Sequence, residues 1–211
     1  MPPTRLAAPA IPLWFVVAFA VMVVSQLARL GQTTPAAWLV CDYAGRLGTL
    51  AVLWFSPAAR AIAFTPQRLN IGLVQAIAWA IGLASLYTII DSPLRGFIDA
   101  TVPGTTIGSY LASHGWLHAV DVTFGLALVA FQEEIYFRRC ARAVVRNWLG
   151  DGFGMIIATS LLFAAYHWWT GLGNMATAGL FGIGAMWLYR RAGSIWPVML
   201  AHYLADLIVF A

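Results

Sequence analysis

Residues 117–138 read LHAVDVTFGLALVAFQEEIYFR, an apolar run that ends on Glu133 and Glu134, the only two glutamates in the chain. Its length suits a membrane-spanning helix, which needs about 20 predominantly apolar residues. An ionisable side chain in such a helix costs about 2.5–3.5 kcal/mol on insertion scales, so a carboxylate pair there is a functional candidate whose partners should be nameable. Arg138 lies one helical turn after Glu134, and His167 and His202 fall in later apolar stretches. The reading is a polar site built inside a membrane.

The rest of the chain agrees with that solvent. Of 211 residues, 61% are hydrophobic and only 9% are charged, with ten tryptophans and a mean hydropathy of +0.79; a soluble domain has a quite different balance. All twelve basic residues are arginine. That usage, with abundant Ala and Gly, points to a GC-rich bacterial genome. The basic balance reads as a topology signal rather than as affinity for nucleic acid, because the arginines cluster at segment ends. Cys41 and Cys140 have no CxxC spacing and read as small core residues.

Seven apolar segments can be drawn, over residues 11–28, 36–55, 71–90, 117–138, 153–169, 175–189 and 195–211. The fold class is therefore all-α, a polytopic helical membrane protein with about seven transmembrane helices. Residues 91–116, with Pro93, Pro103 and Gly104, read as a loop or a short surface helix. The first segment reads as an uncleaved helix rather than a signal peptide. Placing the N-terminus in the cytoplasm puts Arg5, Arg60, Arg68, Arg138, Arg139, Arg142, Arg146, Arg190 and Arg191 inside, against Arg29 and Arg95 outside. This satisfies the positive-inside rule. Arg46, four residues after Asp42 in the second segment, reads as one half of a structural ion pair.

Within 133–138, adjacent helical positions point about 100° apart, so the two carboxylates serve different tasks. Glu134 and Arg138, at i and i+4, are the natural ion pair, which leaves Glu133 to face a cavity as a candidate general base. His202 and Asp206 repeat the i, i+4 spacing in the last segment, whereas His114 and His118 read as surface or interfacial residues. Glu133 and His167 are each 17 residues from Gly150. A hairpin turning at Gly150-Asp151-Gly152 would set them at one height, provided the fourth helix continues to about Trp148.

The order E-E-x-x-x-R, F-x-x-x-H (Phe163 to His167) and H-x-x-x-D on successive helices resembles the CAAX protease and bacteriocin-processing family (CPBP, or Abi), glutamic-type intramembrane endopeptidases. The resemblance covers residues 117–211, including 182–194, and divides one integral membrane domain into N-terminal helices with their connecting loop (1–116) and a catalytic core (117–211). It implies that Glu133 and His167 activate water, that Glu134 and Arg138 hold the site in shape, and that His202 and Asp206 stabilise the oxyanion. Asp206, an acceptor when ionised, would serve either protonated or by orienting His202. The resemblance implies no cofactor, and a lipid-embedded enzyme acting on a membrane-associated protein or peptide near its terminus. For a bacterial inner-membrane protein, a C-terminal sorting tail is the preferred substrate. Three other readings compete: a zinc protease using Glu133, His167 and His202, a non-catalytic binding or immunity protein, and a small proton-relaying transporter. The first lacks H-E-x-x-H, and the last lacks inverted repeats.

Overall fold

The computed structural model describes residues 10–211, which contain helices and no strand. Arg5 lies outside the described residues. Eight helices follow in order: α1 Leu13–Leu30, α2 Pro35–Phe55, the short α3 Pro57–Ala63, α4 Leu73–Thr101, α5 Gly115–Leu149, α6 Phe153–Tyr166, α7 Leu172–Ala192 and α8 Trp196–Phe210. Apart from α3, these are the seven long segments legible in the hydropathy. Four of them, α1, α2, α4 and α5, are long and apolar enough to cross a membrane on length and composition alone.

Local chemistry sets the boundaries. Thr34 caps α2, its Oγ1 accepting from Ala37 N, with Pro35 in the first turn. Ser56 ends α2 and caps α3 in the same way. Gly193 closes α7 with φ +71, in the left-handed region. A Cβ there would also lie 2.2 Å from the Asn70 amide nitrogen, so the position is closed to side chains on two counts.

The structure corrects the third segment. Instead of stopping at residue 90, α4 runs through Pro93 to Thr101, and the connection shrinks to residues 102–114. Proline removes one backbone donor and usually ends a helix. Here the turn is held from the side, because Arg95 bonds Asp91 at 2.8 Å and Asn174 of α7 at 2.6 Å.

α5 is continuous over 35 residues and extends past Arg138 to Leu149. It contains two π-helical stretches, Asp121–Gly125 and Ile135–Ala141, the second starting directly after Glu134. Such widened turns are frequent at functional sites. α6 has 14 residues, about 21 Å at 1.5 Å per residue, against a hydrocarbon core of about 30 Å. It stops at Tyr166, and His167 with a 3₁₀ turn over Trp168–Thr170 occupies its end.

The bundle has two unlike ends. At one, Arg139 reaches Thr65 O, Asn70 N donates to Ala192 O, Ile195 N donates to Gln67, and Arg142 pairs with Asp151. This end gathers Arg60, Arg68, Arg139, Arg142, Arg146, Arg190 and Arg191. At the other, Ile107 and Gly108 N–H donate to Trp169 O, Leu172 N donates to Thr105, and Tyr110 packs against Phe210. Two arginines read as loop charges are neither. Arg138 is fully buried, and Arg29 is buried in an ion pair with Asp42.

Candidate active site

Glu133 and Glu134 leave α5 in different directions. Glu134 Oε2 accepts from Arg138 Nε at 2.7 Å, and its Oε1 lies 2.8 Å from His202 Nδ1 on α8. Both members of the Glu134–Arg138 pair are wholly buried. Phe163 covers the guanidinium at 4.6 Å and stacks edge-on against His167 at 4.7 Å and His202 at 6.0 Å. The phenylalanine of the F-x-x-x-H motif therefore packs three polar side chains at once, and a cation over an aromatic face is itself favourable.

Glu133 is tied elsewhere. Its Oε1 accepts from Arg46 Nη1 at 2.8 Å, while Arg46 Nε binds Asp42 Oδ2 at 2.8 Å and Nη1 also reaches Gln132 Oε1 at 3.1 Å. Asp42 in turn binds Arg29, whose guanidinium lies against the rings of Trp38 and Trp169 at 4.8 and 5.0 Å. The ion pair read between Asp42 and Arg46 exists, but it is one link in a buried chain Arg29–Asp42–Arg46–Glu133. The expectation of a carboxylate free of any charge partner is corrected accordingly. One Glu133 oxygen is anchored to a cation, and the other, Oε2, is buried with no hydrogen-bond partner.

His167 caps α6. Its Nδ1 lies 2.8 Å from Phe163 O; a carbonyl can only accept, so Nδ1 carries a proton, and in the neutral imidazole Nε2 keeps its lone pair. Gln26 of α1, 1% exposed, braces this corner by donating to Tyr166 O at 2.8 Å and accepting from Trp168 Nε1 at 2.9 Å. Nothing in the order of motifs pointed to Gln26, although a glutamine within the first apolar segment was a visible signal. His202 is flanked by carboxylates, Glu134 at Nδ1 and Asp206 Oδ2 at 3.5 Å from Nε2.

Glu133, His167, His202 and Asp206 line one cavity of about 380 Å³, together with Arg46 and Tyr166. Glu134 and Arg138 lie behind its wall. His114 and His118 do not line it. Among the described residues, no three His, Cys, Asp or Glu side chains converge at metal-ligand spacing. His202 Nδ1 is committed to Glu134.

Residues 114–208 match the family model described as Type II CAAX prenyl endopeptidase Rce1-like. This segment is an Rce1-like CAAX-protease domain. It begins just before α5, ends within α8, and contains every residue of the three motifs. At the level of the family, the match supports an intramembrane endopeptidase. Comparison with curated proteins and with solved structures finds no match. Arg29, Asp42 and Arg46 all lie outside the Rce1-like segment, so the first two helices add to the cavity what the matched segment lacks, the cation that holds Glu133.

Proposed function

We propose that the protein is a glutamic-type intramembrane endopeptidase in which Glu133 and His167 together activate a water. The supporting observation is the unpartnered, buried Oε2 of Glu133 in a cavity shared with His167, whose Nε2 lone pair is free. A water between them loses its proton as its oxygen attacks the scissile carbonyl. That proton then passes to the leaving amine as the C–N bond breaks. Positioned proton transfer of this kind contributes about 10²–10⁴ in rate. His202, protonated on both ring nitrogens, donates Nδ1–H to Glu134 and presents Nε2–H to the carbonyl oxygen, while Asp206 Oδ2, 3.5 Å from Nε2, orients the imidazolium. A preorganised donor to such an oxyanion is worth about 10²–10³. Arg46 holds Glu133, and Arg138 with Phe163 holds Glu134 and the two rings.

The arginine-rich end faces the cytoplasm, as the positive-inside rule requires, so the N-terminus is cytoplasmic in a bacterial inner membrane. The substrate is a membrane-associated protein or peptide cut near its terminus, with a C-terminal sorting tail as the preferred class. Backbone exposed to lipid is costly, so such a chain reaches the site extended and within the cavity.

Glu133→Gln should abolish cleavage of a tail-bearing substrate while the protein stays folded, since shape is kept and the ionised oxygen is lost. His167→Ala should do the same. Wild-type processing by both variants would leave only a binding role. Activity should also survive chelation and metal-free dialysis; activity lost on chelation and restored by stoichiometric zinc would overturn the glutamic mechanism.

A further inference from the structure

The cavity has a floor and a mouth, and the mouth is at the end opposite the arginines. Its outer wall is made by Thr106, Ser109 and Tyr110 of the 102–114 connection, with Trp169, Arg29 and Phe210. All of these belong to the end where Ile107 and Gly108 bond Trp169 O. Thr106 and Ser109 are exposed, whereas Arg46, Glu133 and His202 on the floor are buried. Segments 56–70, 139–152 and 189–195, which make up the arginine-rich end, contribute no lining residue.

Below the floor the bundle is sealed. Tyr136, Phe137, Arg138, Met155, Phe163 and Met186 are each 1% exposed or less. The rings of Phe137 stack edge-on with Phe163 at 5.0 Å and with Tyr136 at 5.0 Å. A chain coming from the arginine-rich side would have to part this aromatic layer, and interiors packed to that density have no room for an extended backbone. From the other side it meets an open, partly polar channel.

We infer that the site is served from the extracytoplasmic side, and that its substrate is the extracytoplasmic segment of an exported, membrane-anchored polypeptide. The positive-inside rule fixes the arginine-rich end in the cytoplasm, and the cavity then opens outward. A tail still in the cytoplasm is excluded by the packed layer, whatever its sequence. That the occupant is a peptide rests on the peptidase reading; the side of access does not.

Single cysteines in the full-length chain, with Cys41→Ala and Cys140→Ala, separate the two. Thr106→Cys and Ser109→Cys report the mouth, Val129→Cys the cavity wall, and Asp151→Cys the α5–α6 turn at the other end. A charged, membrane-impermeant maleimide added to intact cells should label the first three, and label Asp151→Cys only after permeabilisation. Loss of labelling at Thr106→Cys and Ser109→Cys in intact cells would overturn the inference. So would labelling of Val129→Cys from the Asp151 side only, or no labelling at Val129→Cys under either condition. None of these readouts depends on turnover. A catalytic failure in Glu133→Gln and a topological failure here therefore remain distinct.

Discussion

Arg46→Leu isolates the contact that joins the first helices to the Rce1-like domain. In the native protein Arg46 and Glu133 lie 2.8 Å apart with side chains 7% and 3% exposed. Removing one partner of so buried a pair leaves the other uncompensated, at a cost of about 3–5 kcal/mol. Asp42 keeps Arg29 as its partner in the variant, so the loss falls mainly on Glu133. At about 2–4 °C per kcal/mol for a chain of this size, the midpoint of thermal unfolding in detergent should fall by roughly 6–20 °C. High salt should not mimic the effect, because a buried pair is poorly screened. Neutralising the stranded carboxylate should restore part of the loss. Arg46→Leu with Glu133→Gln should therefore be more stable than the sum of the single changes predicts, by about 0.5–3 kcal/mol for residues in contact. A midpoint within about 2 °C of native for Arg46→Leu, or strict additivity in the cycle, would refute the view that this arginine holds the glutamate.

Two further outcomes test the scaffold rather than the chemistry. A Cβ at Gly45 would lie 2.1 Å from Ser25 Cβ, so Gly45→Val must push α1 off α2; a loss of about 1–3 kcal/mol is expected for such overpacking, readable as a lower unfolding midpoint. Arg142 bonds Asp151 at the hairpin turn and holds its carboxyl below the ordinary aspartate range. A lowered folded-state value stabilises above the unfolded value and is lost as pH falls through the folded one, so this contribution is present at neutral pH and disappears below about pH 4. Asp151 is 44% exposed, so Asp151→Asn should cost no more than about 1 kcal/mol at neutral pH, with the difference vanishing in acid; a larger loss at pH 7 would mean that the turn is not solvated.

Hydropathy alone made the long helices legible, because each is a sustained apolar run, of spanning length in α1, α2, α4 and α5. What it did not show was where polar contacts extend or cut a helix. Pro93 is a breaker on local grounds, and bonds from Arg95 to Asn174, 79 residues away, and from Gly173 N to Asp99 carry α4 past it. The converse holds for α6, apolar through Trp169, which ends three residues earlier because His167 turns its ring back onto Phe163 O. Both departures lie beside the cavity, where tertiary contacts outweigh local preference.

The motif residues of the site were legible because so few polar side chains occur in the apolar segments; the company they keep was less so. Reading ion pairs at i, i+4 finds Asp42 with Arg46 and Glu134 with Arg138, and leaves Glu133 unmatched. Counting charge over the buried helices gives a different answer. Of the buried carboxylates, Asp91 meets Arg95 and Asp121 accepts from Tyr43 and Tyr110, which leaves Asp42, Glu133 and Glu134 against Arg29, Arg46 and Arg138. Once Arg138 is assigned to Glu134, the extra cation of α1 and α2 has one carboxylate left to meet, and it must cross from α2 to α5 to do so. Neutrality inside a low-dielectric bundle thus accounts for the Arg46–Glu133 contact. It also explains what the first helices add to the Rce1-like segment. Without their surplus positive charge, Glu133 would be buried with nothing to balance it.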